Sequence, residues 1–219
     1  MLGSYTFSKA LGIGTGSVGA GSNGPRNPNN YRMDYSVLGL NRTHNFVTSA
    51  LFDVPWGKTG SPAWERLIAG GWQLSGIFSA ISGAPLTVYS GLDNSLTGIG
   101  SDTADLIGAW SLDSGRSKQD RMAKYFNTAA FKTNSAGTFG TAGINWLYGP
   151  GSWNIDMAAT KNFQITERKR FEFRSSYYNL LNHPNLGNPN TTLTNGAFGR
   201  ITSMSNSPRV IELGLKFAF

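Results

Sequence analysis

The residues that carry reactive chemistry are few. His44 and His183 are the two histidines, and the chain has no cysteine. Neither histidine stands in an HExxH-type spacing, so no metal site, cofactor or catalytic triad is expected, and the chain reads as a non-enzyme. Gly12-Ile13-Gly14-Thr15-Gly16 shares its glycines with a phosphate loop. It lacks the GK[ST] ending, and no helical pattern follows it, so a flexible external loop is the expectation. Two other groups of side chains remain. Asp53, Asp156, Glu172, Arg174, Glu212 and Lys216 all fall on the polar side of alternating stretches. They are candidates either for a structural network of paired charges or for contact with something held beside that face. Tyr125, Phe126, Phe131, Trp146 and Tyr148 cluster in one long irregular region. They are candidates for stacking on a sugar or another flat ligand, or for packing a small core of their own.

The elements that position these groups are strands. From Arg209 to Phe219, Ile211, Leu213, Leu215, Phe217 and Phe219 alternate with Val210, Glu212, Gly214, Lys216 and Ala218. Successive side chains of a strand point to opposite faces, so one face here is apolar and the other partly charged. As a soluble edge this would invite aggregation. A barrel wall with lipid on one side and a wet lumen on the other requires it. The same alternation predicts strands over about 3–11, 42–55, 71–89, 153–165 and 169–181. Within 71–89, Ser82-Gly83-Ala84-Pro85 reads as a bulge or kink in one long strand. If Ile165 pairs with Lys169, Phe163 faces Phe171 and Lys161 faces Phe173. Both strands then agree on the apolar side, with Lys161 the misfit, either snorkelling to an interface or marking a broken register. Trp56 and Trp72 bracket one connection, either at a membrane interface, where indoles prefer to sit, or in a core. One helical turn is expected around Ala63 to Ile68.

Between the strands, connections alternate short (56–70, 166–168) and long (12–41, 90–152, 182–208). The first long one holds seven Gly, two Pro and five Asn, which is turn chemistry throughout. The longest is expected to fold on its own aromatics, with short helical or hairpin pieces, and 199–204 is a candidate short strand. The alternation fits an up-and-down antiparallel barrel with short periplasmic turns and long external loops. Six strands are too few to close one, since such barrels start at about eight. An all-β chain forming the last part of a larger barrel is therefore expected. Composition agrees, with 28 glycines, 12% aromatic and 14% charged residues. No apolar run approaches the ~18 residues of a membrane helix. The net charge of +7 comes from scattered residues, and the one dense run, Arg168-Lys169-Arg170, reads as a solvated turn. No nucleic-acid partner is expected. The first residues show neither the basic region nor the apolar core of a signal peptide, as expected of a mature piece or a fragment.

The ordered series "YTFSKAL", "NRTHNFVTSALFDVPWG", "GGWQLSGIFSAISGAPLTV", "YFNTAAF", "FGTAGINWLYGPGSWNIDMAATKNF", "FEFRSSYYNLLNHPNLGNP", "FGRIT" and "PRVIELGLKFAF" resembles the C-terminal barrel of TonB-dependent receptors of the Oar-like kind. The resemblance spans nearly the whole chain. It implies a 22-stranded barrel in the outer membrane of a Gram-negative bacterium, whose plug and TonB box lie outside this sequence. Phe217 and Phe219 resemble the C-terminal aromatic signal read by the barrel assembly machinery. The implied partners are outer-membrane lipid, that machinery, the plug and remaining barrel, through them TonB, and a solute of unknown identity. In that frame the six charged residues would line the lumen, against plug or solute, and the five loop aromatics would face outward. Two other classes stay open: a surface-anchored structural or adhesive barrel, and a soluble all-β carbohydrate-binding module.

Overall fold

Alternation of apolar and polar residues becomes one antiparallel wall. The computed structural model describes the chain except residues 14–24, 28, 58–59, 99, 165 and 167–168. In chain order the strands and helices begin with β1 (Leu2–Phe7), β2 (Leu11–Ile13), β3 (Tyr35–Val37), β4 (His44–Asp53), α1 (Ala63–Ile68) and β5 (Trp72–Ile81). They continue with β6 (Pro85–Leu86), β7 (Asp105–Leu106), α2 (Lys118–Ala123), β8 (Phe131–Lys132) and β9 (Leu147–Tyr148). The last are β10 (Ser152–Gln164), β11 (Arg170–Tyr178) and β12 (Val210–Ala218). Six of the strands form a single sheet in the order β1-β4-β5-β10-β11-β12. Every neighbouring pair is antiparallel, the meander that the loop lengths demand. β1 and β12 are its open edges.

The expected hairpin register holds: Phe163 pairs with Phe171 and Lys161 with Phe173. Ile165, the residue expected opposite Lys169, lies outside the described residues. The helical turn at Ala63–Ile68 also forms, as α1.

Four strand expectations need correction. The first strand does not run from 3 to 11 but divides into β1 and β2. Asn41, almost fully buried, draws the Ala10 N–H onto its Oδ1 at 2.8 Å and takes the chain out of the ladder. The span 71–89 is not one kinked strand either. β5 ends at Ile81, and Pro85–Leu86 pairs instead with Leu147–Tyr148 in a separate two-stranded sheet. Gly83 makes this departure possible, since a Cβ there would sit 1.8 Å from the Gly149 carbonyl oxygen. Only glycine permits so close a backbone approach. β11 stops at Tyr178 rather than 181, because Asn179 enters the left-handed region (φ 51°). Its N–H turns to Asp156 Oδ1 at 2.8 Å. Finally, 199–204 forms no strand; within it only Met204 makes an isolated bridge, to Leu186.

At one end of the wall lie α1, the end of β10 at Gln164, the start of β11 at Arg170 and the end of β12 at Ala218. At the other, the chain between β5 and β10 folds into a lobe with α2 and four two-residue strand pieces, joined by residues 186–201. Its buried core is Val88, Ala104, Phe126, Ala130, Phe131 and Leu147, against which Trp110, Trp146, Leu193 and Phe198 pack.

Candidate functional site

Cross-strand register decides which side chains share a face, because directly paired residues point the same way. Starting from Leu213 and Leu215 on β12, the pairing runs through Ser175 and Phe173, then Ala159 and Lys161, to Leu74 and Trp72. From Leu74 it passes to Phe52, and higher up from Ala80 to Phe46 and Tyr5. This face is mainly apolar on all six strands, with Ser175, Lys161 and Thr48 among its few polar members. Aromatics gather toward its two ends. At one, Trp72 meets Phe173 edge-on at 6.4 Å and Phe163 meets Phe171 at 6.0 Å. At the other, Phe78 lies between Phe46 (6.0 Å) and Trp153 (6.4 Å). Between them sit Leu74, Gly76, Met157, Leu213 and Leu215, two of which, Leu213 and Leu215, are 69% exposed.

The opposite face gathers Asp53, Asp156, Glu172, Arg174, Glu212 and Lys216. All six come together on one side of the wall, as expected. They do not form the expected network of paired charges. Glu172 and Lys216 are direct cross-strand partners, yet the single ion pair among the described residues is Arg26–Asp34. Neutral groups take the available bonds instead. Asp53 accepts from Gln73 Nε2 at 2.7 Å. Asp156 accepts from Asn154 Nδ2 (2.7 Å) and the Asn179 N–H (2.8 Å). Arg174 Nε donates to Ser176 Oγ at 3.2 Å. Glu172, Glu212 and Lys216 have no hydrogen-bond or ion-pair partner among the described residues. Arg174, Ser176 and Tyr178 are shared by two open clefts, one of about 150 Å³ reaching Asp156 and one of about 360 Å³ reaching Glu212. Arg174, bonded only to a hydroxyl, is the one charged side chain that lines both clefts.

Lys161 settles its own puzzle. The register is intact, and the side chain is 4% exposed on the mainly apolar face. Its Nζ donates to the carbonyls of Ile68 (2.8 Å) and Gly70 (2.7 Å), at the C-terminal end of α1. It also lies 5.1 Å from the Trp72 ring centre and 4.9 Å from that of Phe163, a cation–π arrangement. The ammonium supplies donors that the last carbonyls of a helix lack.

The loop aromatics divide. Phe126 and Phe131 are 1% and 5% exposed. Their rings meet each other at 5.5 Å, and Phe198 at 5.2 and 6.1 Å. Self-packing occupies them, so a ligand-stacking role for these two does not stand. Trp146 is half-buried against Trp110 at 5.1 Å. Tyr125 Oη donates to the Tyr148 carbonyl at 3.1 Å. Burial pushes the Tyr125 phenol up, against an opposing pull from Arg121. Tyr148, 40% exposed, is the one that remains open to solvent.

Two structural hubs escaped sequence reading. Asp102 is 1% exposed and accepts from the Ser95 N–H and Oγ, both at 2.7 Å, and from Asn134 Nδ2 at 2.9 Å. Burial would raise its pKa, but the Ser95, Asn134 and Asn94 hydrogen bonds outweigh that and hold it below the ordinary value. Arg26 binds buried Asp34 through its Nε at 2.6 Å and reaches Thr103 Oγ1 at 2.8 Å, tying the first long connection to the lobe. Neither carries a local motif; each is a single charge in loop-like sequence. No group of three or more His, Cys, Asp or Glu among the described residues could hold a metal ion. No helix among them is long and apolar enough to cross a membrane, which leaves membrane-crossing strands untouched.

Comparison with known protein families agrees with this all-β wall. The family described as "Outer membrane beta barrel domain" matches residues 1–212. The chain belongs to that family. It is an all-β outer-membrane barrel protein, located in the outer membrane, and the reading as a soluble carbohydrate-binding module is set aside. No curated protein and no solved structure matches the chain.

Proposed function

We propose that the chain is a wall segment of a TonB-dependent receptor of the Oar-like kind, contributing barrel strands and an external lobe to energised uptake of a solute. In this reading the apolar face meets lipid and the face bearing Asp53, Asp156, Glu172, Arg174, Glu212 and Lys216 lines the lumen. The observation that carries it is the state of those charges. A purely structural wall would pair them, whereas Arg174 stands between two clefts with only Ser176 as partner. Such charges suit a plug or a passing solute that supplies the missing partners. The remaining parts of the reading are a plug and TonB acting from outside this chain, Phe217 and Phe219 addressing the assembly machinery, and no catalytic step or nucleic-acid partner.

A photo-crosslinking residue at Arg174, in the protein as its own cells place it in the outer membrane, tests this. Crosslinks to a plug domain, encoded in frame with this chain, support the receptor. An upstream stop codon and no internal crosslink would sink it. A second reading has one observation of its own: the external lobe possesses a closed aromatic core, as an adhesive domain anchored by the barrel would. Unimpaired surface attachment with no plug present would favour that reading.

A further inference from the structure

The connection between β4 and β5 holds more apolar surface than a turn needs. In α1, Trp64, Leu67 and Ile68 are 66%, 63% and 66% exposed. Their spacing of i, i+3 and i+4 places them on one side of the helix, with Arg66 on the other. Trp56, in the same connection, is 67% exposed. A short helix showing its apolar side to water would be costly and would not stay formed by itself.

Here the helix is held. Its Ile68 carbonyl accepts from Trp72 Nε1 at 2.9 Å and from Lys161 Nζ at 2.8 Å, and Lys161 also binds the Gly70 carbonyl. Gly71, in the left-handed region (φ 71°), closes against the Asn162 carbonyl, where a Cβ would come within 2.6 Å. Both clamping side chains, Trp72 and Lys161, belong to the apolar face of the wall. The C-terminal end of α1 is therefore anchored on that face and not on the charged one. It sits beside the aromatic row of Trp72, Phe173, Phe163 and Phe171, at the end of the wall with the short turn and the C-terminus. Short turns mark the periplasmic end of an outer-membrane barrel.

We propose that α1 is a membrane-surface helix that docks on the phospholipid of the periplasmic leaflet. Trp64, Leu67 and Ile68 enter the boundary between headgroups and acyl chains, and Arg66 stays on the aqueous side. The apolar side of α1 extends the lipid-facing surface of the wall beyond its last strand residue, and indoles at that depth are at their preferred level. The Lys161–Trp72 clamp fixes the height at which the helix sits. Such a helix seats the barrel vertically in the bilayer. The proposal rests on the outer-membrane location and not on the transport reading.

The test uses environment-sensitive labels. These 219 residues contain no cysteine, so Leu67→Cys and Arg66→Cys can each carry a nitrobenzoxadiazole fluorophore, with the parent protein as labelling blank. The protein is purified from the outer membranes in which its cells place it. It is then reconstituted in phosphatidylethanolamine and phosphatidylglycerol vesicles, with or without bromine near the glycerol end of the acyl chains. At Leu67 the expected result is a blue-shifted emission that brominated lipid quenches. At Arg66 water-like emission without quenching is expected. Water-like emission at Leu67 would overturn the proposal, placing the helix in the periplasm. Blue-shifted but unquenched emission there would overturn it too, since protein and not lipid would then cover the helix. Lys161→Met, checked for insertion by the heat-dependent gel shift of a folded barrel, is expected to lose part of the quenching, and Lys161→Arg to retain more of it. Unchanged quenching in Lys161→Met would remove the clamp from the proposal. The Leu67 readout needs no change at Lys161 and decides lipid contact even where Lys161→Met fails to insert.

Discussion

The wall and the external lobe are stabilised by different solvents. In the lobe, Phe126, Leu147 and Val88 are buried by other side chains of the same chain. In the wall, Leu213, Leu215 and Phe217 stand exposed although the ladder around them is complete on one side. The lobe obeys the rule of water-soluble domains, apolar groups inside. The wall obeys the rule of a barrel in lipid, apolar groups outside and backbone groups paired from strand to strand. The same residue types therefore carry opposite meanings a few tens of residues apart, and the comparison can be broken by substitution.

The largest effect belongs to the lobe core. Phe126→Ala is expected to cost about 3–5 kcal/mol by leaving a cavity beneath Phe131 and Phe198. The lobe should then be cut by protease at low dose while the heat-dependent gel shift of the wall persists. Loss of both together would show that the two regions fold as one unit. Next comes the lipid face. Leu213→Arg should destabilise the inserted protein by about 2–4 kcal/mol near the bilayer midplane. Equilibrium unfolding from vesicles measures this, and a neutral result would mean that this face does not meet lipid.

A third test is the acid response, confined to the lobe. Asp102 has a folded-state pKa below its ordinary value of 3.8. Its stabilising contribution is therefore complete above that value and is lost as pH falls through the lower, folded-state pKa. Near-ultraviolet dichroism of Trp110 and Trp146 should weaken in that acid window, and Asp102→Asn should remove this component of the change. The smallest effect sharpens the contrast within the wall itself. Glu172→Gln, at an unpaired charge, should change stability by less than about 0.5 kcal/mol. A larger loss would reveal a partner that the charged face holds in the membrane.

The two regions were also unequally legible. In the wall, a period of two placed β10, β11 and β12 to within a few residues. It also paired Lys161 with Phe173 and sorted six charged residues onto one face. Strand periodicity is local, and each hairpin copies it to its neighbour, so short-range pattern sufficed. The lobe's sequence supported the expectation that it folds on its own aromatics, which Phe126 and Phe131 meet, but not which rings would be core and which would stay open. That choice depends on what lies above each ring, and for Phe126 the answer is Phe198, far along the chain.

By itself, then, the sequence determined the strand alternation, the antiparallel meander with its short and long connections, and the two unlike faces of the wall. These follow from the pleat, in which every second residue meets the same solvent. Only the tertiary structure decided where the chain leaves the wall after Ile81, and that Phe126 and Phe131 are core. It also decided that Asp102 is a buried acceptor hub and that Lys161 caps α1. Each depends on a contact between distant segments: Lys161 meets the Ile68 carbonyl across 93 residues of chain. No periodicity reports such a meeting, because it is set by the geometry of the assembled sheet. A lone lysine on an apolar face announces a missing partner, and the fold supplies it.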